Sequence, residues 1–128
     1  MPIKYQKMIY RADLKANPTQ IYVFGDNVLR EGYGGQAKEM RGELNAIGVA
    51  TKWAPDNQAG SFFNDDPICF NEVAADMAKV YALLQLGVTV VVPQDGIGTG
   101  LSRLPELAPN LDRQIKDAWG KMECEFNS

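Results

Sequence analysis

"VTVVVPQDGIGTGLSRLPEL", residues 88–107, runs from an apolar segment into a turn with glycines at 96, 98 and 100, and then into a helical start. Residues 88–93 show no apolar–polar alternation, which is the pattern of a strand covered on both faces. Such a strand needs a helical layer on each side, so this stretch alone points to an α/β protein with a largely parallel sheet.

The neighbouring segments extend that reading. "QIYVFG" (20–25) is a second apolar strand, followed by a loop "DNVLREGYGG" (26–35) with glycines at 32, 34 and 35. "GQAKEMRGEL" (35–44) suits a short helix and "AIGVATKW" (46–53) a third strand. "KMIYRADL" (7–14) reads as an earlier strand, ended by the turn at Asn17-Pro18. "APDNQAGSFFNDDP" (54–67) is polar and turn-rich, the pattern of a surface flap. In 69–87, Val73, Met77, Val80, Tyr81 and Leu84 recur at helical spacing, with Asn71 as the expected N-cap and Gly87 as the stop. A final helix spans 104–120, interrupted near Pro109, and "KMECEF" (121–126) alternates like a last strand. The expected architecture is one domain over residues 1–128, a three-layer α/β/α sandwich with a mixed, largely parallel sheet.

Composition narrows the chemistry. The chain has 128 residues, 45% hydrophobic and 23% charged, the balance of an ordinary globular domain with one real core. A net charge of −3 gives no general attraction to nucleic acid or acidic membranes. The absence of histidine excludes the commonest zinc sites and any Ser-His or Cys-His pairing. Cys69 and Cys124 read as reduced thiols. No stretch approaches the ~20 apolar residues of a membrane span, and the N-terminus lacks a signal-like run, so a cytoplasmic location is expected. No metal or cofactor is expected, and any catalysis falls to carboxylates, lysines, hydroxyls, backbone amides or bound water.

In open α/β sheets, ligands bind beyond the carboxyl ends of the strands, where both glycine-rich segments fall. Glycine lets backbone N–H groups point inward and lets a ligand approach with no Cβ in the way. Two such loops at neighbouring strand ends suit an anion, in particular a diphosphate. The second loop has no Gly-Lys-Ser/Thr and its spacing is G-x-G-x-G, so neither the P-loop nor the dinucleotide fingerprint fits.

Taken in order, "IYRADLKANPTQIYVFGDN", "REGYGGQAKEM" and "VTVVVPQDGIGTGLSRLPEL" resemble a macro domain, the ADP-ribose-binding α/β/α module, over roughly residues 8–126. The resemblance implies that Asp13 reads adenine, that the following Leu14 is a ligand-binding residue and that Asn27 places the distal ribose. It also implies that Gly34, Gly35, Gln36 and Ala37 on the first loop, and Gly96, Ile97, Gly98, Thr99, Gly100 and Leu101 on the second, contact ribose and diphosphate. "GVATKWAP" resembles the lysine-dependent branch, hydrolases that release ADP-ribose from carboxylates or DNA bases, and implies a catalytic Lys52. Ala50 stands where that branch has proline, Thr99 where the loop cysteine is usual, and Ser102 where one hydrolase group keeps an Asp. Asp26 is a second candidate for catalysis, or else a cap of its loop. Phe62, Phe63, Tyr33, Trp53 and Phe126 are the candidates for covering adenine. The expected partner is ADP-ribose or an ADP-ribosylated macromolecule, modified DNA included, bound by a monomer away from membranes. A non-catalytic reader of ADP-ribose and an interaction domain with a decayed cleft are the alternatives. A Gly98→Glu change is expected to block binding while leaving the fold largely intact.

Overall fold

Strands β1 (Ile3–Gln6), β2 (Ile21–Asn27), β3 (Ala46–Lys52) and β4 (Val90–Pro93) form a four-stranded sheet in the order β1-β4-β2-β3. The computed structural model describes residues 2–98 and 100–127; Thr99 of the second loop lies outside the described residues. Every pairing between these four strands is parallel, and among the described residues the antiparallel contact is an isolated bridge between Lys52 at the end of β3 and Phe62. The chain is of mixed α/β class, with helices α1 (Arg11–Ala16), α2 (Ala37–Met40), α3 (Pro67–Gln85), α4 (Leu104–Leu107) and α5 (Pro109–Phe126).

The period-2 geometry of the strands sorts their side chains. Val23, Val49, Val90 and Val92 join Val73, Val80 and Leu84 of α3 and Leu111, Ile115 and Trp119 of α5 in the larger core. Their strand neighbours Tyr22, Phe24 and Val91 join Leu14 of α1 and Ala37 and Met40 of α2 in a second cluster. Helices therefore cover both faces, as the apolar runs at 20–25 and 88–93 require.

The two edge strands are guarded by polar side chains. Asn127 brackets β1, accepting from the Ile3 N–H at 2.9 Å and donating to its carbonyl at 3.0 Å. On β3, the Ala50 N–H donates to the Asp76 carboxylate of α3 at 2.8 Å. Both contacts occupy backbone groups that would otherwise template further strand pairing.

Three elements differ from the sequence expectation. The strand expected over 7–14 is instead β1 at Ile3–Gln6, followed by helix α1. The Asp13 carboxylate accepts the Tyr10 N–H at 2.8 Å and satisfies the helix start from within its first turn. Residues 121–126 continue α5, because Leu111, Ile115, Trp119 and Met122 form one buried helical face while Cys124 is exposed. Helix α3 begins at Pro67, capped by Asp66 rather than Asn71, with the Asp66 carboxylate accepting the Ile68 N–H at 3.1 Å. The break at Pro109 separates α4 from α5 as expected.

Candidate functional site

Strands β2 and β4 are neighbours, yet the chain leaves them toward opposite faces. After β2 it enters α2, whose Ala37 and Met40 pack in the smaller cluster. After β4 it enters α4 and α5, whose Leu104 and Leu111 pack in the larger one. Such a divergence opens a crevice at the carboxyl edge of the sheet. A cleft of about 410 Å³ lies there, within the size range of small-molecule sites.

Both glycine loops line this cleft: Gly32, Gly34, Gly35, Gln36 and Ala37 on one side, and Gly96, Ile97, Gly98, Gly100 and Leu101 on the other. Gly96 and Gly98 have φ of +84° and +82°, a conformation that favours glycine. A Cβ on Gly34 would come within 2.6 Å of the Leu101 side chain, so the two loops touch there. Among the described residues, the N–H groups of Gly34, Gly35, Ile97, Gly98 and Leu101 donate to no protein acceptor. Ile97 and Gly98 are buried, where an unpaired amide is costly unless something outside the protein accepts from it. Gly25 on β2 abuts this array, since a Cβ there would stand 3.4 Å from the Gly98 nitrogen, in van der Waals contact with it.

The floor of the cleft is set by a bulge. Asp26 pairs with Ala50 and Asn27 with Lys52, leaving Thr51 as the extra residue of β3. Bulges re-aim side chains, and here Thr51 and Lys52 are both buried at the strand end. Lys52 lines the cleft and is 5% exposed. Its Nζ donates to the Asp56 carbonyl at 2.7 Å and lies 4.5 Å from the centre of the Phe62 ring. Burial lowers the pKa of its ammonium from the usual lysine value, and the nearby Asp56 charge partly opposes this.

Asp26, also at the floor, is fully engaged. Its carboxylate receives Arg41 Nη2 at 2.5 Å and Nη1 at 3.2 Å, Arg30 Nη1 at 3.5 Å and the Asn27 N–H at 2.8 Å. Arg41 also donates to the carbonyls of Gly32 at 2.6 Å and Glu31 at 3.1 Å, stapling the first loop to the strand end. Arg30, at φ 57°, reaches the buried Asp76 through two bonds of 2.6 and 2.7 Å. Gly48 leaves room for this network, since a Cβ there would fall 2.3 Å from Asp26 Oδ2. The cleft is thus lined by Lys7, Arg41 and Lys52 together with Asp26, Glu31 and Asp95.

The structure brings together Lys52, Asp26, Asn27 and the described glycine-loop residues. Asn27 lines the cleft, but its amide donates to the Glu31 carbonyl at 2.7 Å and closes the loop. Asp13 and Leu14 stand outside the lining. Besides the Tyr10 N–H, the Asp13 carboxylate accepts Gln6 Nε2 at 2.9 Å, and Leu14 is a core side chain. Of the aromatic candidates, Phe63 is buried against Trp53, Phe126 packs on Tyr81, and none of the five is among the lining residues. Met8, half exposed on the cleft wall beside Lys7, was given no role in the sequence reading, nor were Arg41 and Gly25. A glycine inside an apolar strand was the one local signal for Gly25.

No group of His, Cys, Asp and Glu able to hold a metal occurs among the described residues, and no described helix is long and apolar enough to cross a membrane. Both cysteines are free thiols, Cys69 buried and Cys124 exposed. No curated protein and no solved structure matches the chain. A family model does match, over residues 4–118, and the chain belongs to that family, a family of unknown function (DUF7831).

Proposed function

We propose that the chain is a minimal macro-domain-like α/β/α sandwich that binds ADP-ribose, or an ADP-ribosylated macromolecule, between its two glycine loops. The observation that carries this reading is the convergence of unpaired backbone amides from both loops on one cleft at the divergence of β2 and β4. Phosphate oxygens are acceptors without donors, and such amide arrays suit them. Lys52 then lies at the distal-ribose end, paired in register with Asn27. The reaction proposed is release of the ADP-ribosyl group from a carboxylate or a nucleobase. The neutral Lys52 amine attacks the anomeric carbon, a C–N bond forms, the bond to the leaving group breaks, and an amine proton passes to that group. Water then cleaves the C–N bond, releasing ADP-ribose and restoring the amine.

Two observations favour a second reading, binding without turnover. Lys52 Nζ already donates to the Asp56 carbonyl, and both Asp26 carboxylate oxygens are already engaged by arginine. In either reading Asp26 shapes the first loop. Incubation with mono-ADP-ribosylated protein and DNA separates the two. Release of ADP-ribose that is lost in Lys52→Ala, with binding retained, supports the hydrolase. Tight binding with no product and no Lys52→Ala effect leaves the reader.

Calorimetric titration with ADP-ribose tests the cleft itself, and no heat at millimolar ligand defeats both readings. The blocking variant is Gly100→Glu, because Gly100 has open space around it. Gly98→Glu, the variant favoured by the sequence, is unsuitable. A Cβ at Gly98 would meet Leu104 at 2.3 Å on a backbone of φ +82°, so folding would suffer along with binding.

A further inference from the structure

We propose that Ser102 is a specificity-determining acceptor, selecting a ligand hydroxyl at the Lys52 end of the cleft. Ser102 lines the cleft and is 8% exposed. Its Oγ lies 2.5 Å from Thr51 Oγ1, and Thr51 Oγ1 also lies 3.1 Å from the Asp26 carbonyl. A hydroxyl has one proton and a carbonyl only accepts. Both contacts form together only when Thr51 donates to Asp26 and Ser102 donates to Thr51. The Ser102 proton is then committed, and Ser102 Oγ offers the cleft lone pairs alone.

The chain of donors has a chemical consequence. An acceptor-only oxygen welcomes an O–H or N–H group and repels a phosphate or carboxylate oxygen. Its place in the fold identifies which part of the ligand it meets. Thr51 precedes Lys52, the Asp26 carbonyl precedes Asn27, and the Val28 N–H donates to the Lys52 carbonyl at 2.9 Å, so Ser102 belongs to the corner formed by Asn27 and Lys52. The amides of the second loop offer donors, whereas Ser102 at the end of that loop offers an acceptor. One loop therefore presents opposite polarities to a diphosphate and to the sugar beyond it. This inference rests on the ADP-ribose reading, in which the sugar at that corner is the distal ribose.

The experiment compares ADP-ribose with ADP, which shares the diphosphate and lacks the distal ribose, on the wild type, Ser102→Ala and Ser102→Cys by calorimetry. Ser102→Cys keeps the side-chain shape and weakens the acceptor, so it also serves if the alanine variant folds poorly. The expected result is a loss of roughly five- to tenfold in ADP-ribose affinity, the size of one neutral hydrogen bond, with ADP affinity held within about twofold. An unchanged ratio between the two ligands, or an equal loss for both, overturns the role of Ser102 while leaving the cleft assignment intact. A wild type that binds neither ligand overturns the ADP-ribose reading and this inference with it.

Discussion

Replacing Asp26 by Asn keeps the shape of the side chain and removes the charge that two guanidiniums share. The Asp26 side chain is 3% exposed and that of Arg41 15%, whereas Arg30 at 39% remains solvated and has Asp76 as an alternative partner. Breaking a buried pair from one side costs about 3–5 kcal/mol, chiefly because the remaining charge is left uncompensated. The solvated Arg30 places Asp26→Asn at the low end, about 3 kcal/mol, with Arg41 carrying most of the loss. At about 2.1 cal/mol/K of unfolding entropy per residue, a chain of 128 residues loses roughly 4 °C of Tm per kcal/mol, so the expected drop is about 11 °C. Calorimetric melting reads this directly, with Glu106→Gln as the control. Glu106 and Arg103 form an exposed pair at 2.7 Å, with side chains 62% and 50% exposed, and such a pair contributes at most about 1 kcal/mol. Hydrogen exchange supplies the second readout. Because Arg41 fastens the Glu31 and Gly32 carbonyls, the hydrogen-bonded amides of the loop, Glu31 to Asn27 Oδ1, Ala37 to the Gly34 carbonyl and Lys38 to the Gly35 carbonyl, should exchange faster in Asp26→Asn than in Glu106→Gln. Melting within about 2 °C of the wild type, with unchanged exchange in the loop, would refute the assignment of Asp26 as the anchor of the first loop.

Two glycine substitutions should move stability in opposite directions. Gly48→Ala places a Cβ 2.3 Å from Asp26 Oδ2 and should cost about 1–3 kcal/mol in chemical denaturation. Gly120→Ala, inside α5 with open space around it, should gain about 0.5–1 kcal/mol. Lys52 should make both reactivity and stability depend on pH. Its folded pKa is lowered, so between that value and the ordinary lysine value the unfolded chain holds more protons. Stability from this group therefore rises with pH through that window, and Lys52→Met should remove that part of the slope in melts across alkaline pH. If the amine is the nucleophile, release of ADP-ribose rises with pH and levels off above the lowered pKa; a rate independent of pH up to that point contradicts the role.

The legible parts of the fold are those whose signal is local. Residues 20–25 and 88–93 announce doubly covered strands by their missing alternation, and α3 shows its buried face at Val73, Met77, Val80 and Leu84. Helix α1 was hidden because Tyr10 occupies its N-cap, while the carboxylate that satisfies the helix start acts from Asp13, three residues later. Strand β1 has only four residues, too few for a period to show. At 121–126, the alternation of Met122, Cys124 and Phe126 imitates a strand. The preceding buried residues Leu111, Ile115 and Trp119 instead extend one helical face through Met122.

The candidate site divides in the same way, and the division says what each part contributes. The glycine loops were readable because their property, an accessible backbone, belongs to the residue type itself. Asp26, Arg41, Thr51 and Ser102 acquire their roles from partners 15 and 51 residues away in sequence. Asp26 read alone is a free carboxylate beside a ribose-placing Asn, a natural candidate for acid–base work. Held by Arg41 and Arg30, it has both oxygens engaged, and its effect on a ligand runs through the position of Gly32 and its neighbours. Ser102 read alone is a missing Asp. Joined to Thr51 and the Asp26 carbonyl, it becomes an oriented acceptor, a role that Asp26, with its oxygens taken, is poorly placed to fill. The chemistry at the Lys52 corner is thus set by which hydrogen-bonding capacities remain after the fold has used the others. Those remainders are a donor on Lys52, the amides of the loops and the lone pairs of Ser102.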